Sequence, residues 1–104
     1  MEQRLGIKIS DLEDDMVVEV DAGGQNLAVV KHNGRLRVLQ GRCTHEEGNL
    51  GKGYVENGEL ICPLHAGAFS LETGAANQNT PWVTDIKTYR TRVDNITGEI
   101  YVEV

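Results

Sequence analysis

A chain of 104 residues, 39% of them hydrophobic, fits one domain with a modest core. Aromatic residues make up only 5%, so that core has to be built from Val, Ile and Leu. The formal net charge of −6 argues against nucleic acid, whose phosphates repel such a surface, and fits a protein that meets a basic protein face.

Met1 to Asp15 carries seven charged residues and no apolar run, so it reads as neither a signal peptide nor an anchor. No later stretch is long enough to span a membrane. Both cysteines sit beside histidines at ligand spacing, which favours metal binding over a disulfide. The expectation is a soluble, cytoplasmic protein without a membrane partner.

Turn signals recur at short intervals: Gly23-Gly24, Asn33-Gly34, Asn57-Gly58, Thr73-Gly74 and Thr97-Gly98. Asn-Gly between β-rich runs marks a tight hairpin, because both turn residues need positive φ. The predicted strands are Gly6–Ile9, Met16–Val20, Leu27–Lys31, Leu36–Gln40, Tyr54–Glu56, Glu59–Cys62, Ala68–Ser70, Ile86–Arg92 and Glu99–Val104. Several alternate in period two, as half-buried antiparallel strands do. Leu36, Val38 and Gln40 face one way, and Arg35, Arg37 and Leu39 the other. Ser10 and Glu13 suggest a single capped helical turn. The acidic run Asp11–Asp15 reads as a solvated face, and Gly74 to Thr84 as a surface loop. His32 reads as a solvated turn residue. The fold class is all-β: an antiparallel sandwich or barrel, one domain over 1–104.

Two motifs carry the chemistry. Cys43-Thr44-His45 and Cys62-Pro63-Leu64-His65 each offer one thiolate and one imidazole, and residues 46–61 separate them. Zinc accepts two cysteines and two histidines, but its common patterns pair like with like, as C-x2–4-C then H-x3–5-H. Here each motif pairs unlike ligands. A two-iron centre suits this order, because each motif can send its cysteine to one iron and its histidine to the other.

The chain resembles the Rieske-type ferredoxins of bacterial ring-hydroxylating dioxygenases. Cys43-Thr44-His45-Glu46-Glu47-Gly48 is similar to the first family loop. Cys62-Pro63-Leu64-His65-Ala66-Gly67-Ala68-Phe69 is similar to the second. Glu72-Thr73-Gly74 and Ile86-Lys87-Thr88-Tyr89 are similar to the closing stretch. The resemblance implies one Rieske-type 2Fe–2S cluster, with Cys43 and Cys62 on the buried iron and His45 and His65 on the outer one. It implies a β base with a cluster-binding subdomain at roughly 41–84. It also implies a one-electron carrier without substrate chemistry of its own. Its partners would be an NADH-linked flavin ferredoxin reductase and a terminal oxygenase, and the protein itself a monomer.

Two neutral imidazoles in place of two thiolates leave such a cluster less negative, so reduction costs less than in an all-cysteine cluster. The high-potential family branch has a disulfide at the positions of Gly48 and Leu64, and hydroxyl donors at those of Gly67 and Phe69. Their absence implies the low end of the range, near about −150 mV. Among the glycines, Gly67 is the expected point of closest approach. Pro81 resembles the proline of a covering loop, and Trp82 reads either as an exposed docking anchor or as a cap on the core. Glu46 and Glu47 are candidate partner contacts. Two other readings remain: a small Rieske subunit of a reductase such as assimilatory nitrite reductase, and a structural zinc module.

Overall fold

The run Leu27-Ala28-Val29-Val30 is apolar at every position, and a strand of that kind has to be covered on both faces. The computed structural model describes residues 1–43, 48–64 and 66–104, and covers it so. Leu27, Ala28, Val29 and Val30 are all fully buried. They belong to strand β3 (Gln25–His32), which pairs antiparallel with β2 (Val17–Ala22) and β4 (Arg35–Gln40). β8 (Thr88–Tyr89) adds to the far edge of β4.

This four-stranded sheet divides two cores. On one face Leu27, Val29 and Val38 pack with Leu5, Ile100 and Val102. The last three come from a three-stranded sheet of β1 (Glu2–Lys8), β10 (Glu99–Glu103) and β9 (Thr91–Val93), in the order β1-β10-β9. On the other face Ala28, Val30 and Leu39 pack with Leu60, Phe69, Leu71, Cys43 and Cys62. Here the cover is a meander of β5 (Tyr54–Glu56), β6 (Glu59–Ile61) and β7 (Ala68–Ser70). The fold is all-β and antiparallel, as the sequence leads one to expect.

Asn33-Gly34 and Asn57-Gly58 make the β3–β4 and β5–β6 turns, and all four residues have positive φ between 52° and 76°. Local turn chemistry therefore fixes the register of both hairpins.

Three expectations are corrected. The strand expected over Ile86–Arg92 is two strands. Tyr89 pairs with Val38 of β4, whereas Arg92 pairs with Tyr101 of β10. The chain changes sheets at Arg90, whose carbonyl accepts the Glu103 N–H at 2.9 Å. The helical turn is a 3-10 turn at Ile9–Asp11, and Asp11 supplies the carboxylate, accepting the Lys8 N–H at 2.9 Å. The acidic run is also more than a solvated face. Asp14 accepts the N–H groups of Asn33 and Gly34, both at 3.1 Å, and Asp15 Oδ1 lies 2.5 Å from His32 Nδ1. The run ties the β3–β4 turn to the chain that precedes β2.

Replacing the fully buried Ile100 by Ala should lower the unfolding free energy by about 2–5 kcal/mol in a urea titration. Ile96, 95% exposed at a turn, should tolerate Ala within about 0.5 kcal/mol. The Gly34 N–H, and after it the Asn33 N–H, holds Asp14 below the usual carboxylate pKa. A lowered pKa gives stability that is present above the unfolded value, about 3.9, and lost as pH falls through the folded one. Asp14→Asn should therefore flatten the acid limb of the stability curve. An unchanged limb would contradict the tie.

Candidate metal centre

Cys43 follows β4 and Cys62 follows β6, so both leave strands that line the same core. Each loop closes in the same way. The Cys43 N–H donates to the Gly48 carbonyl at 2.9 Å, and the Cys62 N–H donates to the Gly67 carbonyl at 2.8 Å. In both, the cysteine bonds the glycine five positions on. Such a bond fixes the backbone at the cysteine and at the glycine that closes its loop.

The two loops meet at Gly48. A Cβ placed on Gly48 would stand 2.5 Å from Cys62 Sγ and 3.2 Å from Cys43 Cβ. One point thus lies close to both cysteine side chains. The same point is 3.6 Å from Leu64 Cβ, within the Cβ–Cβ range of a disulfide. That agrees with the placing of the branch-specific disulfide at positions 48 and 64. Cys43 is 7% and Cys62 1% exposed, and neither is in a disulfide. Thr44, His45, Glu46, Glu47 and His65 lie outside the described residues.

A third segment closes over the second loop. Asn77 donates its backbone N–H to the Ala68 carbonyl at 2.9 Å, and its side-chain amide donates to Glu59 at 2.8 and 3.1 Å. Thr80 is the buried polar residue here. Its hydroxyl donates to the Asn77 carbonyl at 3.0 Å and accepts the Ala68 N–H at 3.4 Å. Val83 then turns inward and joins the core that holds both cysteines. Pro81 is exposed. Trp82 is 42% exposed and belongs to neither core, which decides against a cap on the core.

Gly67 meets the covering segment. A Cβ there would meet Val83 Cγ1 at 2.7 Å, whereas Gly48 is the glycine against a cysteine sulfur. Gly67 is small so that the covering segment can reach the loop. The sequence missed Thr80 and Val83, because nothing in their local pattern sets them apart from the polar loop around them.

Two buried thiols that converge without joining suit a thiophilic metal centre. Their placement fits the cysteine half of a 2Fe–2S site, with the soft ligands inside. Among the described residues, another group of possible ligands is Asp14, Asp15 and His32. There the Asp14 oxygens already hold a turn, so the group serves the hairpin.

Comparison with known proteins agrees. The family described as Rieske [2Fe-2S] domain matches residues 5–90. The chain is 34% identical over 88 residues to the ferredoxin component of the naphthalene 1,2-dioxygenase/salicylate 5-hydroxylase systems of Ralstonia sp., covering 85% of this chain and 84% of that one. Among solved structures it is similar to a Sphingomonas yanoikuyae B1 ferredoxin. The TM-score is 0.85 at 30% identity, over 97% of this chain and 96% of that one. It is also similar to a chain in the complex of reduced oxygenase and oxidized ferredoxin in carbazole 1,9a-dioxygenase. There the TM-score is 0.85 at 25% identity, over 97% of this chain and 91% of that one.

Thr80→Val keeps the volume and removes both hydrogen bonds, leaving the buried Ala68 N–H without its acceptor. The expected cost is about 1–3 kcal/mol by chemical denaturation. Thr80→Ser should recover most of it, and equal losses in both variants would point to packing instead.

Proposed function

Because the chain belongs to the Rieske 2Fe–2S domain family, we propose that it is a one-electron carrier. It would take electrons from an NADH-linked flavin reductase and deliver them to a terminal aromatic-ring-hydroxylating oxygenase. In this reading Cys43 and Cys62 hold the inner iron, and His45 and His65 the outer one. The chain is a single domain, with residues 41–84 as the cluster-carrying part, and it works as a monomer in the cytoplasm. The observation that carries the reading is the convergence of two buried thiols on identically closed loops within a family match over residues 5–90.

When bound, the cluster supplies reversible acceptance of one electron. The protein's part is to hold and shield it. Cys43 and Cys62 anchor the inner side from a core of Leu, Val and Phe, which keeps water from the sulfurs. Leu64, in the second ligand loop, and Trp82, next to the Val83 that packs on Gly67, are 45% and 42% exposed. These apolar side chains beside the second ligand loop suit a brief partner contact, and an aromatic anchor is a common centre for one. No helix among the described residues is long and apolar enough to cross a membrane.

His45→Ala and His65→Ala should each lose the Rieske electron paramagnetic resonance signal, with acid-labile sulfide falling well below the wild-type ratio. Retention of the signal in either would remove that histidine from the ligand set. Trp82→Ala should slow electron delivery to a dioxygenase oxygenase about tenfold or more in stopped-flow reduction, at unchanged cluster content. An unchanged rate would take Trp82 out of the contact.

A further inference from the structure

The first cysteine loop has a neck, and the neck has a clamp. The Gly41 N–H donates to the Asn26 carbonyl at 2.9 Å where the loop begins. The Leu50 N–H donates back to the Gly41 carbonyl at 2.9 Å where it ends. Beneath lies Glu19, on β2. Its Oε2 accepts from Asn26 Nδ2 at 3.2 Å and, in a short bond, from Asn49 Nδ2. Asn49 also receives the Gly51 N–H on its Oδ1 at 3.0 Å. One carboxylate oxygen therefore joins a residue under the start of the loop to a residue at its end.

Two glycines show how closely the neck is seated. A Cβ on Gly41 would stand 2.7 Å from the Asn26 carbonyl oxygen, and a Cβ on Gly51 would stand 2.6 Å from Glu19 Cβ. Each stem of the loop thus rests directly on one of the two residues. A side chain at either glycine would lift that stem from the sheet. The Asn49 amide first, and the Asn26 amide next, lower the Glu19 pKa, so the carboxylate is the acceptor at neutral pH.

We infer that Glu19 is a positioning residue for the metal centre: through Asn26 and Asn49 it closes the neck of the Cys43 loop onto the central sheet. It acts by limiting how far Cys43 moves, because the Cys43–Gly48 closure sits directly above the neck. The inference rests on the cluster reading only for its consequence, since the neck itself is a matter of hydrogen bonds.

The test compares wild type, Glu19→Gln, Glu19→Ala, Asn49→Ala and the double alanine variant, each as isolated with its cluster. Glu19→Gln keeps an acceptor oxygen in place. Amide exchange at Cys43 and Leu50 should be at least about tenfold faster in both single alanine variants, equal to about 1.4 kcal/mol of opening. It should be no faster in the double variant, and near wild type in Glu19→Gln. Exchange at Val29 should not change. The resonance line of the reduced protein should broaden in the alanine variants and narrow again in Glu19→Gln, which a loss of bulk stability would not produce. Unchanged exchange at Cys43 and Leu50, additive effects, or a Glu19→Gln variant as loose as Glu19→Ala would each overturn the assignment. Should Glu19→Ala fail to fold, Asn49→Ala reads the same neck from the other side. Iron and acid-labile sulfide in the wild type test the cluster reading apart from the clamp.

Discussion

A thiolate serves a metal centre only if it is held at a fixed place, and in this chain one backbone hydrogen bond per loop does much of that. The Cys43 and Cys62 N–H groups each bond a glycine carbonyl five residues on. The bonds keep their strength because the core around them is dry: Leu50, Leu60, Phe69 and Cys62 are all 1% exposed or less. That core in turn needs a floor, and the floor is the face of β3 and β4 that carries Ala28, Val30 and Leu39. The doubly covered central sheet is thus a requirement of the site as much as of stability. A sheet with one wet face would leave the loops nothing to pack on.

The same logic explains how glycine is used. Gly48 brings the first loop against the Cys62 sulfur, and Gly67 admits Val83. Gly74 lets the Ile86 carbonyl come within 2.2 Å of where its Cβ would stand, and its φ of 76° suits glycine as well. Close approach at these glycines lets a chain with few aromatic residues pack tightly. Phe69, the single phenylalanine, is fully buried and joins β7 to both cysteines in one core.

Much of this was legible in the sequence. Asn-Gly turns and period-two runs located nearly all the strands, because those signals are local. The paired Cys and His motifs pointed to the Rieske family, because unlike ligands at that spacing suit few metals. What stayed hidden depends on contacts remote in sequence. Asp14 meets a turn nineteen and twenty residues away, and Glu19 meets Asn49 thirty residues away. An acidic residue with a structural partner looks the same in sequence as one in water. Ile86–Arg92 read as one strand because alternation records which side is apolar and not which sheet supplies the partner. Thr80 read as loop because its burial comes from the segment folding back on Ala68.

If the converging Cys43 and Cys62 loops hold the proposed cluster without the donors and the disulfide of the high-potential branch, the protein is a carrier of low potential. Direct voltammetry of the purified protein reads that potential. The expected result is one reversible one-electron wave near about −150 mV. A wave near about +300 mV would contradict the reading of Gly48, Leu64, Gly67 and Phe69, and no wave at all would contradict the cluster itself.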